Sequence, residues 1–168
     1  MNIKQTELIK SCSEQETEDF AANLAQKLNP GCVIALHGDL GAGKTVFSRG
    51  FARGLNIIEP VSSPTYTIIQ EYPLEDGNWF FHLDLYRIDT PQAALAFGVD
   101  EYLESHEAYT IIEWPERIDT LLPTHTIHIN IEHDGEESRV ISSGECNNFQ
   151  KAEYPISNKE FPRVKENI

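Results

Sequence analysis

Val33-Ile34-Ala35-Leu36-His37-Gly38-Asp39-Leu40-Gly41-Ala42-Gly43-Lys44-Thr45 is the stretch whose reading decides the fold. Its first four residues form a continuous apolar run, the pattern of a strand buried on both faces of a parallel sheet. From Gly38 to Thr45 the chain satisfies G-x-x-x-x-G-K-[ST], the Walker A pattern. Glycines let the backbone wrap so that successive N–H groups face an anion, and the following helix adds its positive N-terminal end. Lys44 then serves as a mobile point charge for the β- and γ-phosphates, and the Thr45 hydroxyl as a ligand for Mg²⁺. Beyond the turn, Phe47, Phe51 and Leu55 recur every four residues, which predicts a helix closing around Gly54. Strand, glycine loop and helix are the context the motif demands. Nucleotide binding through Asp39, Leu40, Gly41, Ala42, Gly43, Lys44 and Thr45 is therefore expected.

Working outward, Ser13 and Glu16 have capping-box spacing, and Phe20, Leu24 and Leu28 continue the period of a helix ending near Asn29-Pro30. Residues 65–72 and 79–86 are rich in β-branched and aromatic side chains, with the turn signal Asp76-Gly77 between them. Residues 91–97 read as a short helix stopped by Gly98, 109–113 as a strand, and 115–122 as a helix opened by a proline. Ile127, Ile129 and Ile131 alternate with polar residues, and 138–142 pairs back across His133-Asp134-Gly135. There is no internal repeat and no dividing linker. The expectation is a single α/β domain, a P-loop NTPase-like mixed sheet flanked by helices, over residues 1–146, followed by an aperiodic tail at 147–168.

A phosphate loop needs acidic company for its metal ion and a group to position water. Asp84 arrives at the end of the apolar run Phe80-Phe81-His82-Leu83, where an aspartate is disfavoured unless it has work to do. Glu113 ends Tyr109-Thr110-Ile111-Ile112 in the same way, and strand ends of a parallel sheet gather on the ligand-binding edge. Thr65, within Ser62-Ser63-Pro64-Thr65, sits in a turn that either responds to a γ-phosphate or simply leads into a strand. Trp114 either stacks near the nucleotide or packs in the core. His125, His128 and His133 read as strand and turn residues, since period-2 alternation puts only some of them on one face.

The 168 residues carry 27 acidic and 13 basic side chains, a net charge of -14. Such a balance excludes a chain that grips nucleic acid by its own charge. The excess is local: residues 61–135 hold fourteen acidic and two basic side chains, whereas 37–60, around the glycine loop, hold two and three. Cys12, Cys32 and Cys146 lack C-x-x-C spacing and read as free thiols of a reducing compartment. With no apolar leader and no apolar run long enough to span a bilayer, a cytoplasmic protein is expected.

The run His37 to Thr45, then Ser63-Pro64-Thr65-Tyr66-Thr67, His82-Leu83-Asp84-Leu85-Tyr86-Arg87, Ile112-Glu113-Trp114-Pro115-Glu116-Arg117 and Leu121-Leu122-Pro123 resembles the TsaE family over about residues 10–142. These are bacterial P-loop ATPases needed to make threonylcarbamoyladenosine in transfer RNA. The resemblance implies an ATPase, weak alone, whose cofactors are ATP and Mg²⁺. Its implied partners are proteins similar to TsaB and TsaD, with tRNA met only through the complex and no membrane involved. It further implies that Thr45, Asp84 and Glu113 assemble the metal site, that Lys44, Asp84 and Glu113 carry catalysis, and that Ser63-Pro64-Thr65 senses the nucleotide. Trp114 would lie beside the nucleotide and Glu14 would approach the base. Val46 departs from the family pattern, which often has a second threonine there.

Two other readings share the phosphate loop. A small-molecule kinase normally brings several arginines to the transferred phosphoryl group, and residues 61–135 offer only Arg87 and Arg117. A non-hydrolysing nucleotide switch needs no catalytic carboxylate. A GTPase is disfavoured, because Asn158-Lys159 is followed by Glu160-Phe161 and not by the x-Asp of the guanine-reading motif.

Overall fold

The computed structural model describes residues 7–144, so the tail expected at 147–168 lies outside the described residues. Seven strands form one sheet: β1 (Glu7–Ser11), β2 (Val33–His37), β3 (Ile69–Pro73), β4 (Trp79–Asp84), β5 (Ala108–Glu113), β6 (Ile127–His133) and β7 (Arg139–Gly144). Their order is β1-β7-β6-β2-β5-β4-β3. The central four, β6, β2, β5 and β4, run parallel, while β3, β7 and β1 join antiparallel at the two sides. The glycine loop thus leaves the middle of the sheet, flanked by the ends of β5 and β6.

The apolar run of β2 is buried on both faces because helices cover both. Ile34 and Leu36 join Phe20, Leu24, Phe47, Phe51 and Ile111 under α1 (Glu14–Ala25) and α2 (Lys44–Gly54). Val33 and Ile112 point the other way, toward α3 (Pro91–Ala96), α4 (Val99–Leu103) and the 3₁₀ segment Pro115–Leu121. Phe47 and Phe51 are fully buried, and each such side chain contributes on the order of 1.5–3 kcal/mol of transfer free energy.

Several boundaries differ from the sequence expectation. α1 stops at Ala25 and continues only as a loose turn, with Lys27 N and Leu28 N both bonded to Leu24 O. Ser13 accepts from Glu16 N as a capping box requires, but Glu16 reaches back to Cys12 N at 2.7 Å, one residue before the cap. β3 begins at Ile69 and not near Thr65, because residues 64–68 form a turn closed by Ile68 N to Pro64 O. β4 ends at Asp84, whose Oδ1 accepts from Tyr86 N and bends the chain away. The helix expected at 115–122 is a 3₁₀ segment kinked at Ile118. Neither β1 nor α4 is foreseen: β1 is a five-residue edge strand completed by β7, and α4 is a single turn started by the left-handed Gly98.

α1 and α2 approach so closely that only glycine fits between them. A Cβ on Gly50 would lie 2.4 Å from Glu18 Cα and O, and one on Gly54 would lie 2.4 Å from Ala22 O. Outside this seam Arg49 and Arg53 pair with Glu14, Glu18 and Asp19, exposed ion pairs that add little. Gly50→Ala is expected to lower stability by about 1–3 kcal/mol through overpacking, despite alanine's higher helix propensity. A chemical-denaturation midpoint at or above that of the parent protein would refute this.

Candidate functional site

The loop between β2 and α2 takes its shape from two glycines in particular. Gly38 has φ +140°, and a Cβ there would meet Ile131 O at 2.4 Å. Gly43 has φ +111° and caps α2 without any side-chain hydrogen bond, so no side chain competes for the first-turn N–H groups of that helix. Lys44 is 5% exposed; its Nζ donates to Gly38 O at 2.5 Å and Asp39 O at 2.9 Å, and lies 4.1 Å from the centre of the Trp114 ring. Burial lowers the Lys44 pKa below the ordinary lysine value, opposed by Glu113, Glu116, Asp84 and Asp39. Trp114 reaches this position from a left-handed turn, φ +61°, directly after β5, and packs on Tyr86 with ring centres 5.1 Å apart.

Asp84 and Glu113 are register partners at the ends of β4 and β5, each 3% exposed. Thr45 Oγ1 donates to Glu113 Oε1 at 3.2 Å and lies 3.4 Å from Oε2. Ser48 Oγ, one turn further along α2, divides its single proton between Lys44 O at 3.1 Å and Glu113 Oε1 at 3.4 Å. His82 Nε2 contacts Glu113 Oε1 at 2.8 Å. On the other carboxylate, Asp84 Oδ2 accepts from Thr65 Oγ1 at 2.9 Å and from Ser63 Oγ, and those two hydroxyls are themselves 2.9 Å apart. The turn carrying them includes Ile68 at φ +69°, a strained value for a β-branched residue. Its carbonyl accepts from Asp84 N at 2.9 Å, which ties the strained turn to the carboxylate.

Lys44, Thr45, Thr65, Asp84, Glu113 and Trp114 are therefore brought together on the C-terminal edge of the parallel strands. Leu40 forms the loop's outer tip, 75% exposed. Glu14, at the start of α1, has a largely exposed carboxylate bonded to Arg49 at 3.4 Å. His128 is buried beside His37, with Nδ1 and Nε2 2.8 Å apart, and burial chiefly pushes His37 down to about 4; His133 lies exposed at the end of β6. Among the described residues no cluster of three or more His, Cys, Asp or Glu could hold a metal ion by itself. Two carboxylates beside a hydroxyl are hard oxygen donors that suit Mg²⁺, which typically takes one or two carboxylates and completes its shell with water and phosphate.

Sequence reasoning missed Ser48, His82 and Arg139. Ser48 follows Lys44 by four residues and His82 precedes Asp84 by two, so helical and strand periods would have put each on the site's face. Arg139 has no local signal, because only the folded sheet brings β7 to the loop. Its Nε donates to Ala42 O at 2.8 Å, and its Nη1 is anchored on Ser138 O at 2.9 Å. In a trans peptide the carbonyl and the following N–H point in opposite directions. By holding Ala42 O, Arg139 thus fixes the Gly43 N–H on the opposite side of that peptide. Arg139→Met is expected to weaken nucleotide binding about tenfold, the loss of one hydrogen bond from a charged donor, with turnover at saturation unchanged. Calorimetric titration giving an unaltered Kd would show that the loop keeps its shape unaided.

A glycine loop rising from the central strand of the sheet, with a buried lysine at its base and carboxylates ending the neighbouring strands, belongs to a single mixed α/β domain flanked by helices. The family model for "Threonylcarbamoyl adenosine biosynthesis protein TsaE" matches residues 11–141, and the chain belongs to the TsaE family. It is 40% identical over 134 residues to the tRNA threonylcarbamoyladenosine biosynthesis protein TsaE of Bacillus subtilis, covering 79% of this chain and 82% of that one. It is 39% identical over 142 residues to the protein of the same name from Nostoc, covering 83% and 86%. A crystal structure of Bacillus subtilis YdiB superposes with a TM-score of 0.71 at 34% identity, covering 88% of this chain and 90% of that chain. No helix among the described residues is long and apolar enough to cross a membrane.

Proposed function

We propose that this protein is a Mg²⁺-dependent ATPase that serves the formation of threonylcarbamoyladenosine in tRNA, hydrolysing ATP weakly alone and faster with TsaB- and TsaD-like partners. The observation that carries the reading is the convergence of Lys44, Thr45, Asp84 and Glu113 at one strand-end site, in a member of a family named for this modification. Backbone N–H groups from the glycine loop and the first turn of α2 bind the phosphates, and Lys44 adds the charge that a backbone cannot. Thr45 and Asp84 would supply oxygen ligands for the ion. Mg²⁺, when bound, neutralises charge on the β- and γ-phosphates.

The Thr45 hydroxyl could offer a lone pair to the ion while its O–H still donates to Glu113. Glu113 is then the carboxylate left to orient the attacking water and accept its proton. Asp84 joins this chemistry to the Ser63–Thr65 turn, since both hydroxyls donate to its Oδ2. Trp114 roofs Lys44 and limits water there, so the ammonium's attraction for phosphate is less screened. Arg87 is stacked on Tyr66, 4.5 Å from its ring centre, a poor starting point for the phosphoryl clamp of a kinase.

The acidic surface over residues 61–135 makes tRNA contact the task of more basic partners. The test is reconstitution with TsaB- and TsaD-like proteins, ATP, Mg²⁺ and the threonylcarbamoyl donor system. Modified nucleoside is read by mass spectrometry and phosphate release is followed in parallel. Modification should require this chain together with hydrolysable ATP. Equal modification when the chain is omitted would overturn the proposal.

A further inference from the structure

Glu113 receives three side-chain donors, and they are not equivalent. Thr45 is shared with the ion in the reading above, and Ser48 splits its proton with Lys44 O. His82 makes the shortest of the three contacts, 2.8 Å, from a side chain that is fully buried on β4. The two residues are diagonal neighbours on adjacent parallel strands: His82 is level with Ile111 in the register, and Glu113 lies two positions further along β5. Under α2 the imidazole is nearly parallel to the Phe80 ring, with an interplanar angle of 20° and centres 6.2 Å apart. The ring is thus fixed by strand and packing, whereas Thr45 and Ser48 carry freely rotating hydroxyls.

The contact also fixes which nitrogen bears the hydrogen. A carboxylate only accepts, so Nε2 must donate. Nδ1 is buried and meets no partner among the described residues. A proton on it would be an unsatisfied buried donor. The contact thus aims Nε2 at Glu113 Oε1 from a rigid strand.

We infer that His82 is a positioning residue for Glu113, holding its carboxylate in the orientation that water activation needs. The inference rests on the ATPase reading and extends it to a residue with no place in the phosphate or metal contacts. With Thr45 shared between the ion and Glu113, the N–H of His82 keeps Glu113 from rotating out of line. Displacing a catalytic carboxylate slightly is enough to cost large factors in rate.

His82→Phe keeps the ring and its stacking but deletes the N–H, while His82→Gln offers an amide N–H at similar reach. In the presence of the partner proteins, His82→Phe should lower kcat for ATP hydrolysis about 10–100-fold, leaving KM and the Kd for ATP within about threefold. His82→Gln should recover most of that loss. In a Glu113→Gln background His82→Phe should cost no more than about twofold, since residues acting through one another are not additive. A readout independent of turnover comes from imidazole ¹⁵N–¹H spectra of the nucleotide-free protein. They should contain an Nε2–H signal that is absent in His82→Phe and displaced in Glu113→Gln.

Undiminished kcat in His82→Phe, an equal further loss in the Glu113→Gln background, or protonation at Nδ1 would each overturn the inference. If His82→Phe loses its thermal midpoint, His82→Gln and the spectra decide the matter. Failure of the unaltered protein to hydrolyse ATP with its partners would instead defeat the ATPase reading, while the spectra would still test the His82–Glu113 geometry.

Discussion

Lys44→Ala is expected to reduce ATP hydrolysis at least 100-fold in the presence of the partner proteins, and to weaken ATP binding as well. The ammonium is nearly buried, held by two carbonyls of its own loop and covered by an indole. A charge kept there has little solvent to reorganise when phosphate arrives. Loss of one such preorganised electrostatic group costs about 10²–10³ in rate. Alanine would leave Gly38 O and Asp39 O facing the incoming phosphates with no cation between them, so the ground state suffers too. Lys44→Arg should fare little better, because a planar fork cannot replace a compact point charge at this depth. Single-turnover phosphate release, paired with a melting curve to verify folding, measures the effect. Turnover in Lys44→Ala within a factor of ten of the parent would sink the assignment.

The central part of this architecture was legible because its signals are local. The unbroken apolar run Val33-Ile34-Ala35-Leu36 can be satisfied only by burial on both faces, and Gly38 and Gly43 occupy left-handed backbone that other residues rarely adopt. Asp84 and Glu113 stood out because a carboxylate ending an apolar strand is anomalous unless used. Features that depend on distant chain segments were not legible. Edge strand β1 has no strong pattern of its own and exists because β7 offers it a ladder. The segment after Thr65 has the composition of a strand, yet Ser63 and Thr65 turn to Asp84 and Ile68 takes a left-handed conformation, so pairing starts four residues later. Arg139 is the extreme case: its role depends on which strand lies beside the loop, which no single-segment period encodes.

The acidic balance likewise gains a location. Asp84 and Glu113 belong to residues 61–135, and the positive partner they face, Lys44, comes from the only segment with a basic excess before the acidic stretch. Part of that acidity is thus internal to the site. The remainder lies on exposed surface and is expected to disfavour binding of free RNA. Tight, salt-sensitive RNA binding by the isolated chain would contradict this division.

Glu113→Gln should separate binding from hydrolysis. The amide keeps the size of the carboxylate, so β5, Trp114 and the loop can retain their packing, and ATP should bind with near-parental affinity. Catalysis should fall by about 10²–10⁴, the usual contribution of a positioned base. The reason lies in the donors gathered around this group. Thr45, Ser48 and His82 all point hydrogens at it, and a carboxylate can accept them while retaining capacity for the proton of water. An amide oxygen in the Oε1 position can still accept from His82 and Ser48, but the NH₂ then takes the Oε2 position facing the Thr45 hydroxyl, and the amide has no basicity to offer. Isothermal titration for the Kd and single-turnover release for the chemical step distinguish the two effects. Affinity and rate lost together would recast Glu113 as a binding or metal-holding group, and full hydrolysis in Glu113→Gln would transfer the water-activating role to Asp84.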